Sequence, residues 1–166
     1  MRNLGSMVLE TIMSETSRIA DQLKRAFYGG AWHGDSLYEI LTGVSAAQAA
    51  ARPINNAHSI WELMLHISAW DAAVRKRMTG VAVQLSDAEN FPPVSDTSDA
   101  AWGRTLEDVR RVHDDLIAAV THFPEADLMK PVPGKSGAHY NFRYMLDGLA
   151  QHELYHAGQI ALLKKL

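Results

Sequence analysis

The chain has 166 residues, of which 47% are hydrophobic and 21% are charged, and its formal net charge is −3. This composition is typical of a globular protein and gives no sign of the basic surface that nucleic-acid binding requires, while the absence of cysteine excludes disulfides, thiolate metal ligands and cysteine nucleophiles. No apolar run approaches the ~20 residues that span a membrane, and the first residues lack the apolar core of a signal peptide. We therefore expect one cytoplasmic domain over residues 1–166, with neither nucleic-acid nor membrane partners.

Hydrophobic periodicity predicts four long helices in chain order. The first covers residues 8–28 and ends at Gly29-Gly30, and the second begins at a Ser59-x-x-Glu62 capping box and stops at Gly80. The third covers 98–123 and the fourth 141–165. Short helical pieces at 37–41 and 44–51 form a partly helical connection after the first helix. We predict an all-α four-helix bundle in which the loops 81–96 and 125–140 shape the mouth of a pocket.

The predicted inward positions of the first and third helices recur at steps of three and four. In the first helix they are Leu9, Ile12, Ile19, Leu23 and Phe27. In the third they are Trp102, Leu106, Val109, His113, Leu116, Val120 and Phe123.

The fourth helix places polar side chains where a bundle normally has leucine. Its predicted inward stripe is Met145, Leu149, His152, His156, Gln159 and Leu163. His152 and His156 are one turn apart on the same side of the helix, so both imidazoles can reach one divalent metal. The alternative is a pair of core histidines held by hydrogen bonds.

His66, in the middle of the second helix and on its apolar side, is the best candidate for a third ligand. Three histidines and one open position are typical of a catalytic metal site, and imidazoles suit zinc, nickel, copper or iron. His113 can line the same cavity, act as a fourth ligand or be a core histidine. We expect the remaining histidines to be solvated: His33, His58, His122 and His139.

The run His152-Glu153-Leu154-Tyr155-His156 also matches the zinc-protease pattern H-E-x-x-H, in which the glutamate is the general base. The ten residues after His156 contain no His, Asp or Glu to complete such a site, so the peptidase interpretation is weak. Glu153 can still act as a base, or it can be solvated or support a ligand.

Several segments resemble the DinB/YfiT-like superfamily of metal-dependent enzymes. They are Trp32-His33-Gly34-x-Ser36-Leu37, Arg52-Pro53, His58-Ser59-Ile60-Trp61-Glu62-Leu63-x-x-His66-Ile67-x-x-Trp70, Phe91-Pro92-Pro93 with Trp102, and His152-x-x-Tyr155-His156-x-Gly158-Gln159-Ile160. The resemblance implies a four-helix bundle that is often a homodimer and binds zinc or nickel through three histidines. By position, these are His66, His152 and His156. Related sequences can carry a histidine where this chain has Asp147.

The resemblance also implies chemistry on a small-molecule substrate, either metal-dependent hydrolysis or the transfer of a low-molecular-weight thiol. We expect Gln159 and Tyr155 to orient the ligand and Glu153 or His113 to move a proton. Two alternatives remain open at this point. In one the metal is a non-catalytic staple between the second and fourth helices, and in the other the histidines are purely structural.

Overall fold

The structure is a computed structural model that describes residues 13–166. The long helices are α1 (Glu15–Tyr28), α4 (Ile60–Met78), α6 (Asp99–Thr121) and α7 (Phe142–Leu163), and the short ones are α2 (Leu37–Leu41), α3 (Ala46–Ala50) and α5 (Asp87–Asn90). A 3-10 turn covers Glu125–Asp127. Residues 13–166 contain no β-strand, and none of their helices is long and apolar enough to cross a membrane. The predicted all-α four-helix bundle is confirmed.

Side-chain caps fix where the long helices begin. The capping box predicted at Ser59 and Glu62 is present, since each side chain accepts a hydrogen bond from the other residue's backbone N–H. Ser98 and Asn141 cap α6 and α7 in the same way, through one side-chain acceptor each. Gly29 ends α1 with a φ of 146°, which favours glycine.

The structure differs from the predicted elements in three places. The segment 8–12, with Leu9 and Ile12, lies outside the described residues, and α1 begins at Glu15. The connection is helical at Ala46–Ala50 rather than over 44–51. The loop interpretation of 81–96 is incomplete, because a further capping box, Ser86 with Glu89, starts the short helix α5.

Helices α4 and α1 each pack against both α6 and α7. The buried apolar side chains fall into two clusters along the bundle axis, one including Ile67, Val109 and Ala157 and the other including Val74, Leu116 and Ala150. On α4, α6 and α7, the residues between these clusters are the buried and ionisable Asp71, His113 and Glu153. A polar layer therefore divides the core, and the candidate site lies beside it between α4 and α7.

Candidate metal centre

Three imidazoles from α4 and α7 converge on one point. The Nε2 atom of His152 lies 3.0 Å from Nε2 of His66 and 3.1 Å from Nε2 of His156. Nitrogen ligands on a tetrahedral zinc with bonds of about 2.0–2.1 Å are about 3.3 Å apart, so the three atoms have nearly the spacing of a ligand set. These are the three histidines that the sequence predicts as a group, and together they could hold a metal ion.

Two of the rings are oriented by hydrogen bonds on their far side. His66 Nδ1 donates to the carbonyl oxygen of Asn90 at 2.8 Å, and His156 Nδ1 donates to Gln159 Oε1 at 2.7 Å. A proton on Nδ1 leaves the Nε2 lone pair free to face the centre, which is the arrangement a metal-binding histidine needs. The predicted orienting role of Gln159 is thus carried out on a histidine, not directly on a ligand.

The three rings have the protonation that a metal site needs. Without a metal, their Nε2 lone pairs cannot all accept a good hydrogen bond. With the Nε2 lone pairs of His66 and His156 both facing His152, a single proton on His152 Nε2 serves only one of them well. Burial lowers the pKa of all three rings, that of His152 to about 4, so each is neutral near pH 7. A divalent cation would accept all three lone pairs at once.

The cluster opens onto a cavity of about 610 Å³. Two of the three imidazoles, those of His66 and His152, form part of its wall. The remaining lining residues are Trp70, Val74, Arg77, Asn90, Tyr140, Tyr144, Met145, Asp147, Gly148, Leu149 and Gln151. Asn90 and Tyr140 come from the two segments predicted to shape the pocket mouth.

The aromatic ring of Phe91 covers one side of the histidine cluster. It stacks on His66, with 4.2 Å between ring centroids, and on His58, with 3.7 Å. The His58 side chain is half-exposed, which agrees in part with the prediction that it is solvated, but its ring is stacked and its Nδ1 atom is buried. His33, His122 and His139 are exposed as predicted.

A second polar cluster lies in the layer that divides the core. His113 Nδ1 donates to Asp71 Oδ2 at 2.9 Å and lies 3.4 Å from Glu153 Oε1, and the side chains of all three residues are fully buried. The His113 ring stacks on Phe27, with 3.9 Å between centroids. By donor type this group could also hold a metal ion.

A retained proton can account for the contact between the two carboxyl groups of the second cluster, whereas His113 Nε2 is buried without a partner. Burial raises the pKa of Asp71, and burial together with the facing Asp71 carboxylate raises the pKa of Glu153 well above its ordinary value. A protonated Glu153 has a hydroxyl to donate to Asp71, whose Oδ1 atom otherwise lacks a partner. The cluster then combines one negative carboxylate, one neutral carboxyl and one imidazole that donates to the carboxylate.

These positions decide between several alternatives left open by the sequence. The proposal that Glu153 is solvated is wrong, because the broad buried face of α7 turns this residue into the core. His113 is a core histidine and is not among the residues that line the cavity. Tyr155 packs edge-on against His156 but is 65% exposed and outside the cavity.

Three residues of the site escape sequence reasoning, although two have a signal. Asp71 follows Ile67 by four residues and precedes Val74 by three, so it occupies an inward position of α4. Asn90 is the last residue of a short helix whose start is predicted by the Ser86–Glu89 capping box. Phe91 belongs to a segment that resembles the family, but nothing in the sequence indicates its stacking on His66, which depends on how the segment folds over α4.

The fold and the first cluster together define a class, helical bundles with a histidine cluster suited to a divalent metal at the edge of a cavity. Comparison with known proteins gives the family, because a model described as the DinB superfamily matches residues 31–160. The chain belongs to the DinB superfamily, as its motifs predict. No curated protein and no solved structure matches it.

Proposed function

We propose that this DinB-superfamily protein binds a divalent metal through His66, His152 and His156 and is a metalloenzyme acting on a small molecule. The observation that carries the proposal is the convergence of three Nε2 atoms at the wall of a cavity of about 610 Å³. Ligand pockets in enzymes are typically ~300–1,000 Å³, so the cavity can admit a substrate to the metal. Zinc and nickel are the proposed metals, since both accept imidazole ligands.

The chemistry divides between the metal and the chain. A divalent metal held by three neutral imidazoles supplies positive charge and an exchangeable position, which lower the pKa of a water or thiol bound there. Asn90 and Gln159 hold His66 and His156 in the tautomer that presents Nε2. Trp70, Val74 and Met145 give the cavity an apolar wall that can pack a substrate body. The two reactions in best agreement are metal-dependent hydrolysis and transfer of a low-molecular-weight thiol.

A non-catalytic staple is the alternative, and the placement of the ligands on two helices favours it in part. His66 on α4 and the pair on α7 would join these helices through a metal. A staple has no need of a cavity at its ligands, however, and structural zinc sites are closed by a fourth protein ligand. Within residues 13–166, the group of possible metal ligands that contains His66 has three residues, one fewer than the four of a closed site.

The test begins with the elemental analysis of untagged protein, for which we expect about one zinc or nickel ion per chain. The protein is then loaded with Co²⁺, and 2-mercaptoethanol is added while the near-ultraviolet spectrum is recorded. A thiolate-to-cobalt absorption band indicates an exchangeable position and supports the enzyme. Product formation is then screened with electrophiles plus thiol and with esters alone, which separates transferase from hydrolase.

Two results would overturn parts of this proposal. Protein that binds no stoichiometric divalent ion has a purely structural histidine cluster. Protein that binds the ion, gains thermal stability from it and shows no cobalt band with any thiol has a closed staple. The homodimer and the cytoplasmic location stay predictions.

A further inference from the structure

Arg77, at the last turn of α4, is a buried cation with no acidic partner among residues 13–166. Only 1% of its surface is exposed, and no carboxylate of residues 13–166 lies within ion-pair distance of its guanidinium. Nε and Nη2 donate to the Val83 carbonyl oxygen at 3.2 and 2.8 Å, whereas Nη1 is buried without a hydrogen-bond partner. A buried charge is normally paired, so the Arg77 guanidinium lacks the anionic partner that its burial calls for.

Arg77 lines the same cavity as His66 and His152. Its Cζ atom lies 5.2 Å from the Trp70 ring centroid, and that centroid lies 5.9 Å from the His152 ring. Trp70 thus separates the cation from the histidine cluster by about the width of an indole. A molecule whose body packs across Trp70 can reach Arg77 with one end and the histidines with the other.

The other charged side chains of the wall do not satisfy Arg77. Asp147 also lines the cavity, but it is not within ion-pair distance of Arg77, and its Oδ2 instead lies 3.7 Å from Arg143 Nε. Arg77 therefore brings to the cavity wall a positive charge that no carboxylate of residues 13–166 pairs, in surroundings that screen charge less than water does.

We propose that Arg77 is an anion-binding residue and that the substrate is an organic carboxylate. Its carboxylate pairs with the Nη1 side of the guanidinium, its apolar body lies across Trp70, and its reactive end faces the histidine cluster. One guanidinium with one free edge matches one carboxylate in charge and in geometry. Because Nη1 is covered in this conformation, side chains of the wall must rotate for the anion to enter. This inference rests on the proposed function, since it assumes that the cavity serves the metal.

The test uses Co²⁺-loaded protein and two probes of equal length, 6-mercaptohexanoate and 6-mercaptohexanamide. The thiol of each probe reports on the metal through the near-ultraviolet band, and only the acid carries a charge for Arg77. We expect the acid to bind roughly tenfold to a hundredfold more tightly than the amide, as a charge-assisted hydrogen bond in a buried site would give. Arg77→Met should bring the ratio of the two dissociation constants close to one, and Arg77→Lys should keep part of it.

Arg75→Met is the matched control, because Arg75 is on the same helix but half-exposed and paired with Asp115 at 3.1 Å. It should leave the acid-to-amide ratio unchanged. Loss of the Val83 contact in Arg77→Met affects both probes alike, so the ratio is insensitive to a loosened segment. If Arg77→Met does not fold, Arg77→Lys takes its place, and a ratio that is the same in Arg77→Lys as in unmodified protein overturns the site.

Equal binding of acid and amide to unmodified protein overturns the anion site and leaves the metal site intact. A preference for the acid that survives in Arg77→Met also overturns it. The absence of a cobalt band with either probe contradicts the proposed function itself. This outcome is therefore distinguishable from failure of the anion site alone.

Discussion

The molecule contains two clusters of three ionisable side chains, both built on α4 and α7, with opposite designs. The first has three imidazoles, no formal charge near pH 7 and a cavity at its edge. The second has two carboxyl groups and one imidazole, is completed by α6, and is fully buried. By donor type alone, each could bind a metal.

The difference lies in what satisfies each cluster. In the second, His113 donates to Asp71 and a proton retained on Glu153 supplies a donor between the two carboxyl groups, so that of the polar atoms only His113 Nε2 needs a further partner. In the first, Nδ1 protons on two rings leave lone pairs that no proton of the group satisfies together. Hence we expect a metal at the cavity and a proton network in the core, where it joins α4, α6 and α7.

The largest expected effect is the loss of metal binding when one imidazole of the first cluster is removed. His66→Ala or His152→Ala should weaken Zn²⁺ binding by more than the tenfold to hundredfold that losing a supporting contact costs. Isothermal titration calorimetry measures it. His122→Ala, which removes an exposed histidine at the end of α6, is the control and should bind normally. If His66→Ala binds Zn²⁺ as tightly as unmodified protein, the three-histidine site is wrong.

The second cluster should respond in stability and not in metal content. His113→Ala leaves a buried carboxylate unpaired, and we expect the free energy of unfolding to fall by about 3–5 kcal/mol. Urea denaturation measures the loss, and elemental analysis should still find about one ion per chain. Replacing Asp71, His113 and Glu153 together with leucine should be far less harmful, because no buried charge remains. A bound ion that disappears with His113→Ala would reverse our assignment of the two clusters.

A smaller effect is expected from the contact that orients His156. Gln159→Leu removes the acceptor of its Nδ1 proton and should weaken Zn²⁺ binding by about tenfold to a hundredfold. Gln159→Glu keeps an oxygen acceptor and should restore most of the affinity. Equal affinities for Gln159→Leu and unmodified protein would show that the ring needs no such support.

The sequence predicts the first cluster better than the second, for a physical reason. His152 and His156 repeat at the helical period, on a stripe otherwise filled by residues such as Leu149 and Leu163, so they stand out. Asp71 and Glu153 are single acidic residues in helices that are buried over a broad face, and an isolated carboxylate on a helix is usually solvated. Their pairing with His113 arises from the packing of three helices, which periodicity within one helix does not report.

The smallest predicted effect is on the pH dependence of stability in metal-free protein. The two clusters should contribute to it with opposite signs. The histidines of the first have folded pKa values below the ordinary 6.5, that of His152 about 4, so the unfolded chain binds more protons as pH falls. Stability is therefore lost from about pH 6.5 towards about pH 4. Glu153 and Asp71 have raised values, so their contribution is present at low pH and is lost as pH rises above their ordinary values.

The two contributions have opposite signs in the acid range, and any slope that remains above about pH 6.5 comes from the carboxyl pair. Urea midpoints measured with a chelator from about pH 5 to about pH 8 should separate them. Glu153→Gln should flatten the alkaline side, and His152→Leu should flatten the acid side, by less than about 1.4 kcal/mol per pH unit because His152 is only half-buried and partly screened by water. If both variants change the same side of the profile, the clusters do not differ in charge as we argue.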